Sequence, residues 1–233
     1  MIMSAIMRLP KAQITQLVAE TRGPSSDEQD EMAIPSYLHG NRLIRWLMWR
    51  RYDVIDRVAA VDASMTVLEF GCGLGLYLPT LAARGRRVLA CDLFPCYAQA
   101  LARRLGLDVE FVDGVNLLPD ASVDIIVAAD VLEHVDDLPG TLHEFTRILA
   151  PSGRLVVSGP TENRWYELGR RAAGFAGKGD YHLRNVDDIA REMAECGFVE
   201  RQRRKLPGRG LPTLFRVVVG ERLPSSPPIP GPR

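Results

Sequence analysis

Four residues alternate in the stretch "VLEFGCGLG" at residues 67–75: Glu69, Gly71, Gly73 and Gly75. Each glycine inside a regular element costs roughly 0.5–1 kcal/mol relative to alanine, so three together mark a backbone that must bend sharply or approach something closely. A glycine turn following an apolar, strand-like run can aim backbone N–H groups and a helix N-terminus at a ligand. Asp92, closing the next strand-like run, follows Gly71 by 21 positions. An acid there can accept hydrogen bonds from ribose hydroxyls, which points to a nucleoside-containing ligand. A dinucleotide fingerprint starting at Gly71 would need glycine or alanine at position 76, where Leu76 stands. The Glu69 carboxylate just before the turn suits a cationic group such as an ammonium, directly or through water, and suits a pyrophosphate poorly.

The elements that must carry these residues alternate along the chain. "TVLEF", "RVLAC", "VEFV", "DIIVAA" and "RLVVSG" are short, apolar and rich in β-branched residues, as strands buried on both faces are. "GLYLPTLAARG", "PCYAQALARRLG", "LPGTLHEFTRILAPSG" and "NVDDIAREMAECG" read as helices, several stopping at glycine, with Pro95 suited to a first turn. Alternation of this kind predicts an α/β fold, a doubly wound, mostly parallel sheet with right-handed crossovers. "FVERQRRKL" and "TLFRVVVGERL" follow one another with no helix between, so they are expected to pair as an antiparallel C-terminal hairpin at one edge.

Composition divides the 233 residues into four zones. Residues 1–35, with one weak helical stretch and the polar "TRGPSSDEQDE", read as a flexible N-terminal segment. Residues 36–62 read as a helical cap, in which Ile44, Leu47, Met48, Ile55 and Val58 share one face and the arginines mostly lie elsewhere. Residues 63–222 form the ligand-binding domain, and 223–233 a Pro-rich tail expected to be disordered. Lys plus Arg and Asp plus Glu are equal at 29 each, so no bulk charge points to nucleic acid. Cys72, Cys91, Cys96 and Cys196 show no paired metal-ligand spacing and no metal is expected; Cys72 and Cys91, in apolar runs, read as reduced buried thiols. The opening "MIMSAIMRLPKAQ" has too short an apolar core for a signal peptide, and no later run reaches about 18 apolar residues, so a cytoplasmic protein is expected.

Three stretches, "VLEFGCGLGLYLPTLAARGRRVLACDLF", "VEFVDGVNLLPDASVDIIVAADVLEHV" and "LHEFTRILAPSGRLVVSGPTEN", resemble the class I S-adenosylmethionine-dependent methyltransferases, in particular the small-molecule enzymes with "D-x-L-E-H" after the fourth strand. The resemblance spans about residues 65–200. It implies a Rossmann-like seven-stranded sheet with its last strand antiparallel, and S-adenosylmethionine as cofactor with S-adenosylhomocysteine as product. By that likeness Glu69, Gly71, Gly73 and Gly75 would cradle the methionine part, Asp92 would bind the ribose and Leu93 would lie beside the adenine. Asp113 and Gly114 would reach the adenine amino group, and Asp130 would lie near the reacting methyl. Asp113 and Asp130 also read as ordinary cap or turn acids.

Methyl transfer from a sulfonium is an in-line displacement, and alignment and desolvation supply most of what a protein adds. A hydroxyl acceptor would also use a base, and His182, in the glycine-rich "GKGDYHLRNVDDI", and His134, in "VLEHV", are the candidates. His143 reads as a surface residue of a helix, and His39 reaches the site only if the cap closes over it. Arg164, Trp165 and Tyr166 offer an aromatic and cationic acceptor wall or plain helix packing. "PTENRWYELGRRAAGFAGKGDYH" loosely resembles the acceptor side of methyltransferases of glycan and secondary-metabolite pathways. The expected activity is methyl transfer to a small-molecule acceptor at oxygen, with carbon or nitrogen transfer, or a non-catalytic cofactor-binding homologue, as alternatives. A nicotinamide dehydrogenase is disfavoured by Leu76 and the lack of a Tyr-x-x-x-Lys pair, and nucleic-acid methylation by "DVLE" where Asn/Asp-Pro-Pro-Tyr/Phe would stand. The tryptophans and arginines of "RLIRWLMWRR" suit a lid over the acceptor or a peripheral membrane contact, without stable insertion.

Overall fold

The computed structural model describes residues 5–23, 33–175, 183–208 and 210–223. Seven strands form one sheet: β1 (Thr66–Phe70), β2 (Arg87–Cys91), β3 (Glu110–Phe111), β4 (Val123–Ala129), β5 (Leu149–Pro160), β6 (Phe198–Leu206) and β7 (Phe215–Arg222). Their order is β3-β2-β1-β4-β5-β7-β6. The β1–β2, β1–β4, β2–β3 and β4–β5 pairs are parallel, whereas β7 runs antiparallel to both β5 and β6. The expected C-terminal hairpin is therefore present, with β7 inside the sheet and β6 at its edge. The order reverses between β1 and β4, a switch point that opens a crevice beyond the strands' carboxyl ends.

The helices are α1 (Lys11–Glu20), α2 (Ile34–Leu38), α3 (Arg42–Ala59), α4 (Leu78–Ala82), α5 (Cys96–Leu105), α6 (Leu138–Ile148), α7 (Arg164–Ala172) and α8 (Val186–Glu195). Val67, Ile125 and Val127 face one apolar core shared with α1, α3, α4 and α5. Leu68, Ile126 and Ala128 face the other, shared with α6 and α8. This alternation within strands buried on both sides explains their near-continuous apolar sequence.

Several boundaries differ from the sequence reading. The cap is two helices, because Asn41 caps α3 by accepting the Leu43 N–H at 2.8 Å while its own N–H donates to His39 Nδ1 at 3.0 Å. Helix α6 stops at Ile148 rather than at Gly153, since Pro151 disfavours helical geometry at the residue before it. α4 and β3 are shorter than "GLYLPTLAARG" and "VEFV" suggested.

The N-terminal segment departs most. Residues 5–23 are packed rather than flexible: Ile6, Leu9, Ile14 and Leu17 are buried in the core of the sheet domain. Met7 N–H donates to Thr80 Oγ1 at 3.0 Å, and Glu20 is ion-paired with Arg104 of α5. The large apolar residues of this short helix are few, but Ile14, Leu17 and Val18 fall on one side, which composition averaged over 35 residues conceals. The polar linker at 24–32 and the tail from 224 lie outside the described residues.

Candidate active site

The first strand ends in a turn that only glycine makes without strain. Gly71 sits at φ 73°, and a side chain there would overlap Val131, which follows β4. Gly75, also at φ 73°, would place a Cβ 2.9 Å from Ala98 Cα, so it allows α5 to pack closely. Gly71 N–H donates to Cys91 O at 2.8 Å, binding the turn to the end of β2. There Asp92 accepts the Gly73 N–H at 2.7 Å and the Phe94 N–H at 2.8 Å. Each carboxylate oxygen keeps a lone pair for a ligand.

These groups line a cavity of about 560 Å³. Phe70, Gly71, Asp92, Asp130 and Pro160 form its floor at the strand ends. Tyr37 of α2, Met48, Arg51 and Tyr52 of α3, and Tyr166 and Arg170 of α7 form its cover. Its size lies within the roughly 300–1,000 Å³ of small-molecule sites.

Asp130 is at φ 53° just past β4 and accepts the Ser158 hydroxyl at 2.6 Å. Its other oxygen is ion-paired with Arg51, whose guanidinium also donates to Tyr37 Oη at 3.3 Å. The Arg51 guanidinium lies 5.5 Å from the Phe215 ring centroid and 5.8 Å from that of Tyr52, and its Nε–H has no hydrogen-bond partner. Glu133 is 1% exposed, and burial pushes its carboxyl up to about 7, with Arg51 opposing the rise. Beneath the glycine turn Glu69 is also 1% exposed, and neither carboxylate oxygen has a hydrogen-bond partner. Burial and then the Asp92 charge hold the Glu69 carboxyl well above the usual range.

The cavity brings together Gly71, Gly73, Asp92, Leu93, Asp113, Asp130 and His134. Leu93 is 90% exposed, an apolar surface offered at the rim. Glu69, Gly75 and Gly114 stand behind this lining rather than in it. His134 ends a short 3₁₀ turn, Leu132–His134, at the cavity wall. His182 lies outside the described residues. His143 is exposed on α6, with Nδ1 2.7 Å from Pro139 O. His39 does not line the cavity: its Nε2 lies 3.1 Å from Ala173 O and its ring 5.6 Å from that of Phe175, which does. Of the acceptor-wall candidates, Tyr166 faces inward, whereas Trp165 is 44% exposed.

Arg51, Tyr37, Glu133 and Phe215 are site residues that the sequence reading passed over. Most α3 arginines lie off the inner face, as expected, but Arg51 is buried on it, where an acid beyond β4 compensates its charge. One signal was present: Met48, Arg51 and Ile55 stand at i, i+3 and i+7, so Arg51 lies on the stripe that was read as apolar.

A glycine turn, an acid after the second strand and a cavity at the switch point define a doubly wound α/β domain with a small-molecule site at its sheet edge. The family profile described as methyltransferase domain matches residues 42–202. The chain belongs to the class I S-adenosylmethionine-dependent methyltransferase family. It is 32% identical over 157 residues to a probable S-adenosylmethionine-dependent methyltransferase of Mycobacterium tuberculosis, covering 65% of this chain and 56% of that one. A malonyl-[acyl-carrier protein] O-methyltransferase of Serratia marcescens is 33% identical over 127 residues, covering 50% and 48%. The chain thus spans about half the length of the curated relatives it matches. Among solved structures, N-methyltransferase NodS of Bradyrhizobium japonicum with S-adenosyl-L-homocysteine aligns at TM-score 0.61 and 19% identity, over 90% of this chain and 97% of that one. The [4+2]-cyclase SpnF aligns at TM-score 0.64 and 16% identity, over 94% and 99%. The two structural likenesses concern the fold alone, which carries more than one chemistry.

Proposed function

We propose that this chain binds S-adenosylmethionine in the cavity and transfers its methyl group to a hydroxyl oxygen of a small molecule. The carrying observation is the join between the glycine turn and Asp92, which sets an open backbone and a carboxylate with unused lone pairs on one cavity wall. The chain's residues fit that cofactor. Glu69, a buried carboxylate without donors, suits an ammonium reached directly or through water beneath Gly71, Gly73 and Gly75. Asp92 accepts from the ribose hydroxyls, Leu93 covers the adenine, and Asp113, with Gly114 setting the backbone, meets its amino group. Arg51, fixed by Asp130, presents its spare Nε–H to the methionine carboxylate.

When bound, the cofactor supplies a methyl already activated on a sulfonium. The chain aligns the acceptor and excludes water, with residues 36–62 and α7 acting as the cover over domain 63–222. His182 and His134 remain the candidates to take the acceptor's proton, and Glu133 joins them as a buried carboxyl whose pKa stands at about 7. The malonyl-carrier O-methyltransferase of Serratia and a ubiquinone biosynthesis O-methyltransferase of Xylella among the relatives support oxygen as the acceptor atom. The acceptor is a secondary metabolite or a precursor of a cell-surface glycan or lipid.

Calorimetry with S-adenosylmethionine, S-adenosylhomocysteine and NAD tests the reading. Both sulfur ligands should bind and NAD should give only background. Binding of NAD with no response to either sulfur ligand would overturn it.

A further inference from the structure

Helix α7 spans the cavity mouth like a strap. At its start Asn163 Nδ2 donates to Thr213 O at 2.8 Å, on the β6–β7 connection. At its end Ala173 O meets His39 Nε2 at 3.1 Å, in the turn between α2 and α3. Its inner face gives Tyr166 and Arg170 to the cavity. Its outer face leaves Trp165 44% and Leu168 57% exposed at i and i+3, with Ala172 following on the same side, and no α7 residue is buried. Arg164 and Arg171 flank that stripe, Arg164 with its guanidinium 5.1 Å from the Trp165 ring centroid. Leu211, 59% exposed on the connection that Asn163 grips, adds to the apolar area on that side.

Trp165 and Leu168 stand side by side on the face of α7 opposite Tyr166, where no described residue covers them. An apolar stripe with an aromatic and flanking arginines is the pattern of helices that lie in a lipid interface. Arg164 and Arg171 on this exposed side outnumber Glu167, the one acid of the helix, so the face is net positive and complements an anionic surface. We propose that the outer face of α7 docks on an anionic lipid surface, with Trp165 and Leu168 entering the interface and Arg164 and Arg171 meeting lipid phosphates. Among the described residues no helix is long and apolar enough to cross a membrane, so the contact is peripheral. Such docking sets the cavity mouth beside the bilayer, where an acceptor with an apolar tail could enter directly.

Co-sedimentation of the full chain with vesicles of phosphatidylcholine and phosphatidylglycerol in equal parts, and of phosphatidylcholine alone, tests this. Binding to the anionic vesicles should be at least about tenfold stronger, weaken in high salt and shift tryptophan emission to the blue. The double variant Trp165→Ser/Leu168→Ser should lose about tenfold or more of that binding while its urea midpoint stays near that of the wild type. Should that variant unfold early, Arg171→Glu, a change at an exposed side chain, must show the loss instead. No binding by the wild type overturns the proposal, as does equal binding to both vesicle types. Undiminished binding by folded variants overturns it too. None of these readouts depends on the cofactor or on methyl transfer.

Discussion

Arg51 of α3 and Asp130, just past β4, form an ion pair that joins the cover of the cavity to the end of the central sheet. Their side chains are 4% and 15% exposed, so Arg51 has almost no water to fall back on if Asp130 is removed, and Asp130 has only a little if Arg51 is. Breaking a buried pair from one side costs about 3–5 kcal/mol, whereas replacing both partners by apolar groups is often neutral. Asp130→Ala should therefore lower stability by about 3 kcal/mol, the lower end, because Asp130 keeps some solvent contact. Urea unfolding of the two single variants and of Arg51→Met/Asp130→Leu checks this. Single variants costing less than about 1 kcal/mol would class the pair with surface bridges.

Asp92 carries two duties that one substitution separates. It accepts backbone N–H groups from Gly73 and Phe94, and in the proposed complex it also accepts the ribose hydroxyls. Charge-assisted hydrogen bonds of this kind are worth about 1.5–3 kcal/mol, so Asp92→Ala should weaken S-adenosylmethionine roughly tenfold to a hundredfold. Asp92→Asn keeps one acceptor oxygen and should lose less. Calorimetry gives both values, and a folded Asp92→Ala variant with unchanged affinity would show that the ribose is held elsewhere.

The strands were legible because a segment buried on both faces leaves an almost uninterrupted apolar run, and Leu68 and Val127 have no exposed side to blur it. The glycine turn was legible because Gly71 has no substitute where Val131 crowds the backbone. Partners brought from far along the chain were not. Arg51 and Asp130 are 79 positions apart, and no periodicity in either segment announces that two charges compensate each other. Glu133 reads as one more acid in a polar turn until the fold encloses it.

The packed N-terminal segment gives the sharpest reversal of a sequence expectation. Residues 1–35 read from composition as a flexible segment, yet Ile14 and Leu17 are each 1% exposed against the sheet domain. Leu17→Ala should cost about 2–5 kcal/mol, as buried leucines do. Met7→Ala, at a side chain 50% exposed, should stay within about 0.5 kcal/mol. Thermal or urea unfolding of the two variants decides the point, and equal small losses would show that α1 adds nothing to the core.

Glu133 should make stability fall with pH in a range where most carboxylates have finished titrating. Folded, its carboxyl holds a proton up to about 7, because burial disfavours the charged form. Unfolded, it releases that proton near 4.3. The folded state is favoured most fully below the lower value, and this advantage is lost as pH rises through the higher one. Arg51 across the cavity and Glu162 act on the same carboxyl in opposite directions, and Tyr166 titrates far above this range. Glu133→Gln cannot ionise and keeps the shape. Its stability relative to the wild type should therefore rise by about 3 kcal/mol between pH 4 and pH 8, with most of the change complete by pH 7. Urea midpoints for the two proteins across that range measure the difference directly. A difference flat in pH would mean that Glu133 ionises in the folded protein as it does in the unfolded chain. Its place among the candidate proton acceptors would then be lost, leaving His134 and His182.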